Sequence, residues 1–322
     1  MSRQRLRRRS TRSAPAAAAV KTVVSATVPP ACSTAGGAYP VGRAPDTSPG
    51  AVASVSSASP PATRAPAAAR GEEAEVDLDA ELARVVAPLI GDARLSVAVL
   101  DTGRGAGAVY GDGAAYDTAS IVKVDILAAL LLRAQDEGRE LSDAEQTYAA
   151  SMIGRSDDAS ATRLWRVIGG AEGLDAANVR LGLTGTAAAR AWGLTQTTAA
   201  DQVRLLRAVF DGDGDGDSAQ GSVEGSVLSR ASRVYVRGLM GRVEADQRWG
   251  VSAAGDAWAL KNGWMPRTTT GLWDINSIGR VRAGGRDYLV AVLCDGQPTK
   301  EAGITLVEAV AKAAVGVVSD AR

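Results

Sequence analysis

Residues 120–132 read Ser120-Ile-Val-Lys-Val-Asp-Ile-Leu-Ala-Ala-Leu-Leu-Leu132. Apart from Ser120, Lys123 and Asp125 the run is apolar nearly all round, the pattern of a helix buried on most of its faces. Residues three apart share a helix face, so Ser120 at the first turn and Lys123 one turn on are predicted to meet. A lysine in apolar surroundings loses proton affinity, because desolvation penalises its charged form. It can then serve as a base toward a hydroxyl. The plain alternative is a capping serine followed by a surface lysine. S-x-x-K alone is a common accident, but a lysine on a helix this apolar needs a reason to be there.

Composition points the same way. The 322 residues contain no histidine, which removes every Ser-His-Asp and Cys-His mechanism and any zinc site that relies on imidazole. Proton transfer in such a chain has to run through Lys, Asp, Glu, Tyr or Ser. With two cysteines, Cys32 and Cys294, lying far apart, no structural disulfide is expected. No metal site and no cofactor is expected.

The zero net charge is a cancellation. Residues 1–70 hold ten basic residues and one acid, a net +9, and residues 71–322 hold 26 basic and 35 acidic residues, a net −9. An acidic body argues against nucleic acid as a partner, since phosphate neutralisation needs clustered Lys and Arg. Residues 1–71 are rich in Arg, Ala, Pro and Ser and keep no hydrophobic period, the composition of a disordered tail. Two readings of this tail stay open. Basic residues Arg3 to Arg12, a weakly apolar Ala14 to Val28 and the small residues around Cys32 resemble an export or lipoprotein signal. That reading makes the protein secreted or envelope-associated, with attachment through the N-terminal segment. The other is a basic arm on a cytoplasmic protein, favoured by Lys21, which interrupts a stretch made mostly of Ala.

From 72 to 322 the pattern is that of one folded domain, read as a monomer. Leu78, Leu82, Val85, Val86 and Leu89 mark a helix, Leu95 to Leu100 a strand, and Ala108 to Tyr110 the returning strand. A helical region follows, about 120–245. Strand-like runs then cover 257–264, 272–281 and 287–293, and a helix over 304–318 closes the chain. The fold class implied is α/β (α+β): an antiparallel sheet built from N- and C-terminal strands, flanked by helices, with an inserted all-helical region. The run Asp211-Gly-Asp-Gly-Asp-Gly-Asp217 fails the calcium-loop pattern in each register, at Ser218 or at Ser222, and reads as a solvated surface loop.

Two further motifs complete the set. Ser156-Asp157-Asp158 follows Met152-Ile153 and precedes Ala159, Ala161 and Leu164; its plain reading is a helix cap. Lys261-Asn262-Gly263-Trp264 lies in a strand pattern that runs on to Trp264, although Asn-Gly can also mark a hairpin. In this order the three resemble the S-x-x-K, S-D-N and K-T-G signature of class A β-lactamases and penicillin-binding proteins, over about residues 76–322. Thr197-Thr198-Ala-Ala-Asp201 resembles the segment where that family resumes a helix after its active-site loop.

The resemblance implies a covalent acyl-enzyme on Ser120, with Lys123 as base. Ser156 and Lys261 become the proton relay to the leaving group, which makes four catalytic candidates. It implies substrate contacts from Asp158, Asn262, Gly263 and Trp264, and an oxyanion hole formed by the backbone N–H groups of Ser120 and Trp264. The partner implied is a small-molecule ester, amide or β-lactam.

Three departures qualify this. Asp158 replaces an Asn, trading amide donors for an acceptor. Asn262 replaces a Thr or Ser hydroxyl. The interval 181–196 contains no acidic residue, where class A β-lactamases carry a deacylating Glu; Glu172, Asp175 and Asp201 lie only nearby. These departures favour an esterase- or peptidase-like Ser-Lys acyl hydrolase that is a poor β-lactamase. The rival reading is a catalytically degenerate, penicillin-recognising binding protein. Trp192, Trp249, Trp258, Trp264 and Trp273 are candidates for lining an apolar acyl pocket, with core packing as the plain alternative.

Overall fold

The periodic runs fold as two termini joined in one sheet around an insertion. The computed structural model describes residues 76–111, 113–211 and 226–321, all within the unit Arg70–Arg322. The N-terminal tail with Cys32, and residues 212–217 of the Asp-Gly run, lie outside the described residues. Helix α1 (Leu78–Ile90) is followed by strands β1 (Arg94–Asp101), β2 (Gly107–Tyr110) and the two-residue β3 (Tyr116–Asp117). A single 3₁₀ turn, Ala119–Ile121, leads into α2 (Val122–Asp136), then α3 (Asp143–Gly154), α4 (Asp158–Val167) and α5 (Gly170–Leu181). After the short strand β4 (Gln196–Thr197) come α6 (Ala199–Phe210) and α7 (Arg230–Met240). Strands β5 (Ala257–Pro266), β6 (Trp273–Ala283) and β7 (Arg286–Gln297) and helix α8 (Lys300–Asp320) complete the chain.

The five-stranded sheet has the order β2-β1-β7-β6-β5, with every pairing antiparallel. The central strand β7 is buried without a break from Tyr288 to Cys294, as befits a strand covered on both faces. Helices α1 and α8 lie against the sheet, and α6 also packs on β1, β6 and β7. Helix α8 is long and apolar enough to cross a membrane. Its face from Val307 through Val310, Ala311, Ala314 and Val318 is instead buried in the core, and Gly303 leaves room for Ile275 of β6 beneath its first turn. β5 is left as an edge strand beside the Ala119–Ile121 turn.

The antiparallel sheet built from both termini, the helical insertion and the α+β class agree with the sequence pattern. The insertion is not uniformly helical. Between α5 and α6 the chain runs as an extended loop, tied to the segment before Ser120 by the pairs Tyr116↔Thr197 and Asp117↔Gln196 and by the bridge Ala187↔Gln196.

Helix α2 is buried over nearly its whole length, from Val122 to Leu132. Its Asp125 has no exposed surface, and the one side chain that donates to it among the described residues is Gln202, whose Nε2 lies a long 3.5 Å away. Burial pushes its carboxyl up to about 7, helped by the neighbouring charge of Asp201 and opposed by hydrogen bonding. The folded protein therefore holds a proton that an unfolded chain gives up near pH 4, and stability falls as pH rises from about 4 to about 7. Asp125→Asn is expected to match wild type near pH 4.5 and to exceed it at pH 7.5 by about 3 kcal/mol, measured by urea denaturation at both pH values.

Candidate active site

The first motif begins on a strained turn. Ala119, the residue before Ser120, has φ of 46° although it is not glycine, a backbone state costing roughly 1–3 kcal/mol that persists only where surroundings enforce it. The enforcing contacts are visible. Thr118 N–H donates to Thr195 O at 2.8 Å, and Asn276 of β6 donates from Nδ2 to the carbonyls of Asp117 and Thr118 at 2.8 and 3.1 Å. Gly263 of β5 lies directly on the turn: a Cβ there would sit 2.8 Å from both Ser120 N and Thr118 O. Only a residue without a side chain lets the edge strand come this close.

One turn on, Lys123 Nζ is 2.9 Å from Ser120 Oγ, with its side chain fully buried. It also reaches Ser156 O at 2.7 Å, Ser156 Oγ at 3.0 Å and Asp158 Oδ1 at 2.6 Å. An ammonium has three protons to give, so four acceptors leave one contact in excess. The lysine can then exchange partners without moving its nitrogen. Desolvation lowers its proton affinity, and Asp158, with a smaller contribution from Asp157, works against that.

The second motif is arranged differently from a serine cap. The N-cap of α4 is Asp157, whose carboxylate accepts from Ser160 N at 2.7 Å. Ser156 stands just before it with φ of 60°, and its hydroxyl is left for the site. That oxygen accepts from Lys123 and from Lys261, each at 3.0 Å. With both lone pairs taken, its one proton is free for a third partner. The Asp158 side chain is 73% exposed, so an almost open carboxylate meets a wholly buried lysine.

The third motif is strand, with no hairpin at Asn262-Gly263. Lys261 is buried, donates also to Asn262 O at 2.8 Å, and has its proton affinity pushed well down, first by burial and next by the charge of Lys123. Asn262 is turned inward. Its Nδ2 donates to Gln247 O and Trp249 O at 2.8 and 3.0 Å, and its Oδ1 accepts from Ser277 Oγ at 2.6 Å. Fully occupied and buried, it fixes β5 to the turn around Trp249 and presents nothing to a ligand.

The tryptophans divide. Trp192, on the 3₁₀ turn Trp192–Leu194 of the extended loop, lies with its ring 5.0 Å from Lys123 Nζ. Trp264 packs at 6.0 Å on Trp249 and carries Lys300 Nζ 4.0 Å from its ring. Trp258 instead sits under Arg248, and Trp273 begins β6, paired with Pro266 and Gln297.

The acids near the loop are committed to holding it. Asp175 accepts from Ala188 N at 2.8 Å, and Asp201 accepts from Gly185 N at 2.7 Å and Thr186 Oγ1 at 2.8 Å. Among the described residues no cluster of ligating side chains suits a metal.

The sequence reading missed Asp157 as the cap and Asn276 and Ser277 as supports. A polar Asn-Ser pair inside the apolar run of β6 was the available signal.

The β-lactamase enzyme family model matches residues 144–318. That span holds the second and third motifs and begins after Ser120 and Lys123. The putative lipoprotein LppW of Mycobacterium tuberculosis (strain H37Rv) and that of Mycobacterium bovis are each 32% identical over 178 residues, 54% of this chain and 54% of theirs. The chain thus spans about half the length of the curated relatives it matches. A class A β-lactamase from Bacteroides cellulosilyticus superposes with a TM-score of 0.63 at 16% identity, covering 76% of this chain and 100% of that one. The structure of PBP-A gives a TM-score of 0.60 at 19% identity, over 74% and 94%. At such identities the likeness is one of fold.

Gly263→Ala tests the packing of strand on turn. It is expected to leave the protein folded while slowing reaction of Ser120 with a fluorophosphonate by about 10²-fold, the cost of a displacement near 1 Å; circular dichroism and labelling rates check the two halves.

Proposed function

The chain belongs to the β-lactamase enzyme family, and from that premise we propose that it is a Ser-Lys acyl hydrolase acting on small-molecule esters or amides. The observation that carries the reading is the buried Lys123 Nζ at 2.9 Å from Ser120 Oγ. In its neutral form Lys123 takes the Ser120 proton as Oγ bonds to the carbonyl carbon. The oxyanion that forms is stabilised by the backbone N–H groups of Ser120 and Trp264. The intermediate collapses with loss of the leaving group, which receives its proton from Ser156. Ser156 is reprotonated from the lysine pair on either side of it.

Water then attacks the acyl-enzyme and gives a proton to Lys123. As the intermediate collapses, Ser120 Oγ leaves and takes that proton back from Lys123, so the acyl group is released as acid and the hydroxyl and the neutral amine are regenerated. The loop contains no acidic residue, so this second half depends on the same lysine that served the first. Hydrolysis of a penicilloyl-enzyme is therefore slow, and the activity is esterase- or peptidase-like. Asp158 and Trp264 border the substrate, Gly263 admits the close approach of β5, and Asn262 acts as a support.

Envelope attachment through the N-terminal segment is the location we favour. The residues around Cys32 and the lipoprotein name of the mycobacterial relatives support it.

A fluorophosphonate probe is expected to label the wild type and not Ser120→Ala; equal labelling of both would reject the nucleophile. Lys123→Ala is expected to slow p-nitrophenyl acetate turnover by about 10²–10⁴-fold, the usual worth of a general base. Intact-mass measurement after mixing with penicillin is expected to find an adduct that persists over minutes.

A further inference from the structure

Asp158 is the least expected member of the site. It is a carboxylate where the resembled family carries an amide, and it is the only carboxylate paired with Lys123 among the described residues, at 2.6 Å. Its neighbour Asp157 is spent on the α4 cap. The exposures are lopsided: the Lys123 side chain has no exposed surface, while that of Asp158 is 73% exposed. Most of the Asp158 side chain is thus open to solvent, with acceptor sites and no donor. An amide there would welcome a substrate carbonyl, whereas a carboxylate repels one and takes an N–H or an ammonium instead.

The opposite complementarity has been withdrawn. The position next to Lys261, where a hydroxyl would help hold a substrate carboxylate, is Asn262, and all its polar atoms are bonded inside the protein. Lys300, a cation near Trp264, is stacked on that ring at 4.0 Å.

We propose that the site selects acyl donors bearing a free amino group close to the scissile carbonyl, as in aminoacyl esters and amides, and that Asp158 is the residue that reads the ammonium. The proposal rests on the hydrolase reading above. It adds a consequence for activation. In the resting site Asp158 favours the charged, unreactive form of Lys123. A substrate ammonium that pairs with Asp158 competes for that carboxylate. Lys123, left buried without its anion, releases a proton to solvent past the exposed Asp158 and becomes the base. A substrate of the right charge therefore raises the share of Lys123 in its neutral, reactive form.

The test compares two esters of equal length, the p-nitrophenyl esters of 3-aminopropanoate and butanoate, which differ by an ammonium in place of a methyl. Wild type is expected to favour the ammonium ester by about tenfold or more in kcat/KM after correction for spontaneous hydrolysis. Asp158→Asn is expected to abolish or reverse that ratio. A wild-type ratio near one, or a preference that survives in D158N, overturns the proposal. Binding of 3-aminopropanamide and butanamide to both proteins, followed by ligand-observed NMR, reads the same preference without turnover. Binding that favours the ammonium and needs Asp158, in a protein that hydrolyses neither ester, would support the selectivity while rejecting the hydrolase reading. Hydrolysis of both esters through Ser120 without discrimination would do the reverse.

Discussion

A lysine with no exposed surface sits at the centre of this site, and the rest of the site follows from what its burial demands. Taking an ammonium out of water costs several kcal/mol, so the fold must either neutralise it or surround it with acceptors. Here Ser120, Ser156 and Asp158 supply four oxygens within 3.0 Å of Lys123 Nζ. Each comes from an element that the lysine thereby ties to α2. Lys261 repeats the arrangement from the sheet side, sharing Ser156 Oγ with Lys123. Two buried amines meet around one hydroxyl. Burial lowers the proton affinity of both, and the charge of Lys123 lowers that of Lys261 further, which gives a site without histidine amines that part with a proton more readily than an exposed lysine.

Both backbone positions with positive φ outside glycine among the described residues, Ala119 and Ser156, belong to this site. Each precedes or forms the residue whose hydroxyl meets Lys123. The strain is held by Asn276 gripping two carbonyls before the turn, by Gly263 pressing β5 onto it, and by Lys123 bonding Ser156 O. The sheet therefore has a mechanical part in the chemistry. It supplies the edge strand against which the turn before Ser120 is set, and the absence of a side chain at 263 is what makes that contact possible.

The legible parts of the sequence were those with a period or a repeated motif. The five main strands and the closing helix announce themselves through alternation or a 3.6-residue stripe. The three motifs carry their spacing openly. Two-residue strands have no period to read, so the β3–β4 ladder that ties the loop to the turn before Ser120 was hidden. The role of Asn262 was hidden for another reason. Its place beside Lys261 suggests the ligand, but only the position of Trp249 and Gln247, fixed by the tertiary fold, shows that its amide is used up inside. Asp157 was masked by its neighbour: Ser156 and Asp157 are both good caps, and the choice between them is made by Lys123 and Lys261 claiming the serine.

The loop between α5 and α6 gives the missing acid a structural meaning. A short loop with no carboxylate of its own has to be fastened from outside, and Asp175 and Asp201 do this through the amides of Ala188 and Gly185. Neither acid can be moved to the reaction centre without releasing the loop it holds. What the loop brings toward Lys123 is the ring of Trp192, 5.0 Å from Nζ. An indole has no basic lone pair to take a proton from water, though its face favours a cation. The loop thus favours the protonated lysine, as Asp158 does from the other direction, and both act against the desolvation that drives the proton off. Under the proposed mechanism, reactivity is set by how far substrate binding undoes those two contacts. A substrate that displaces neither leaves the protonated form of Lys123 favoured, and Ser120 waits on the smaller share that burial alone has deprotonated.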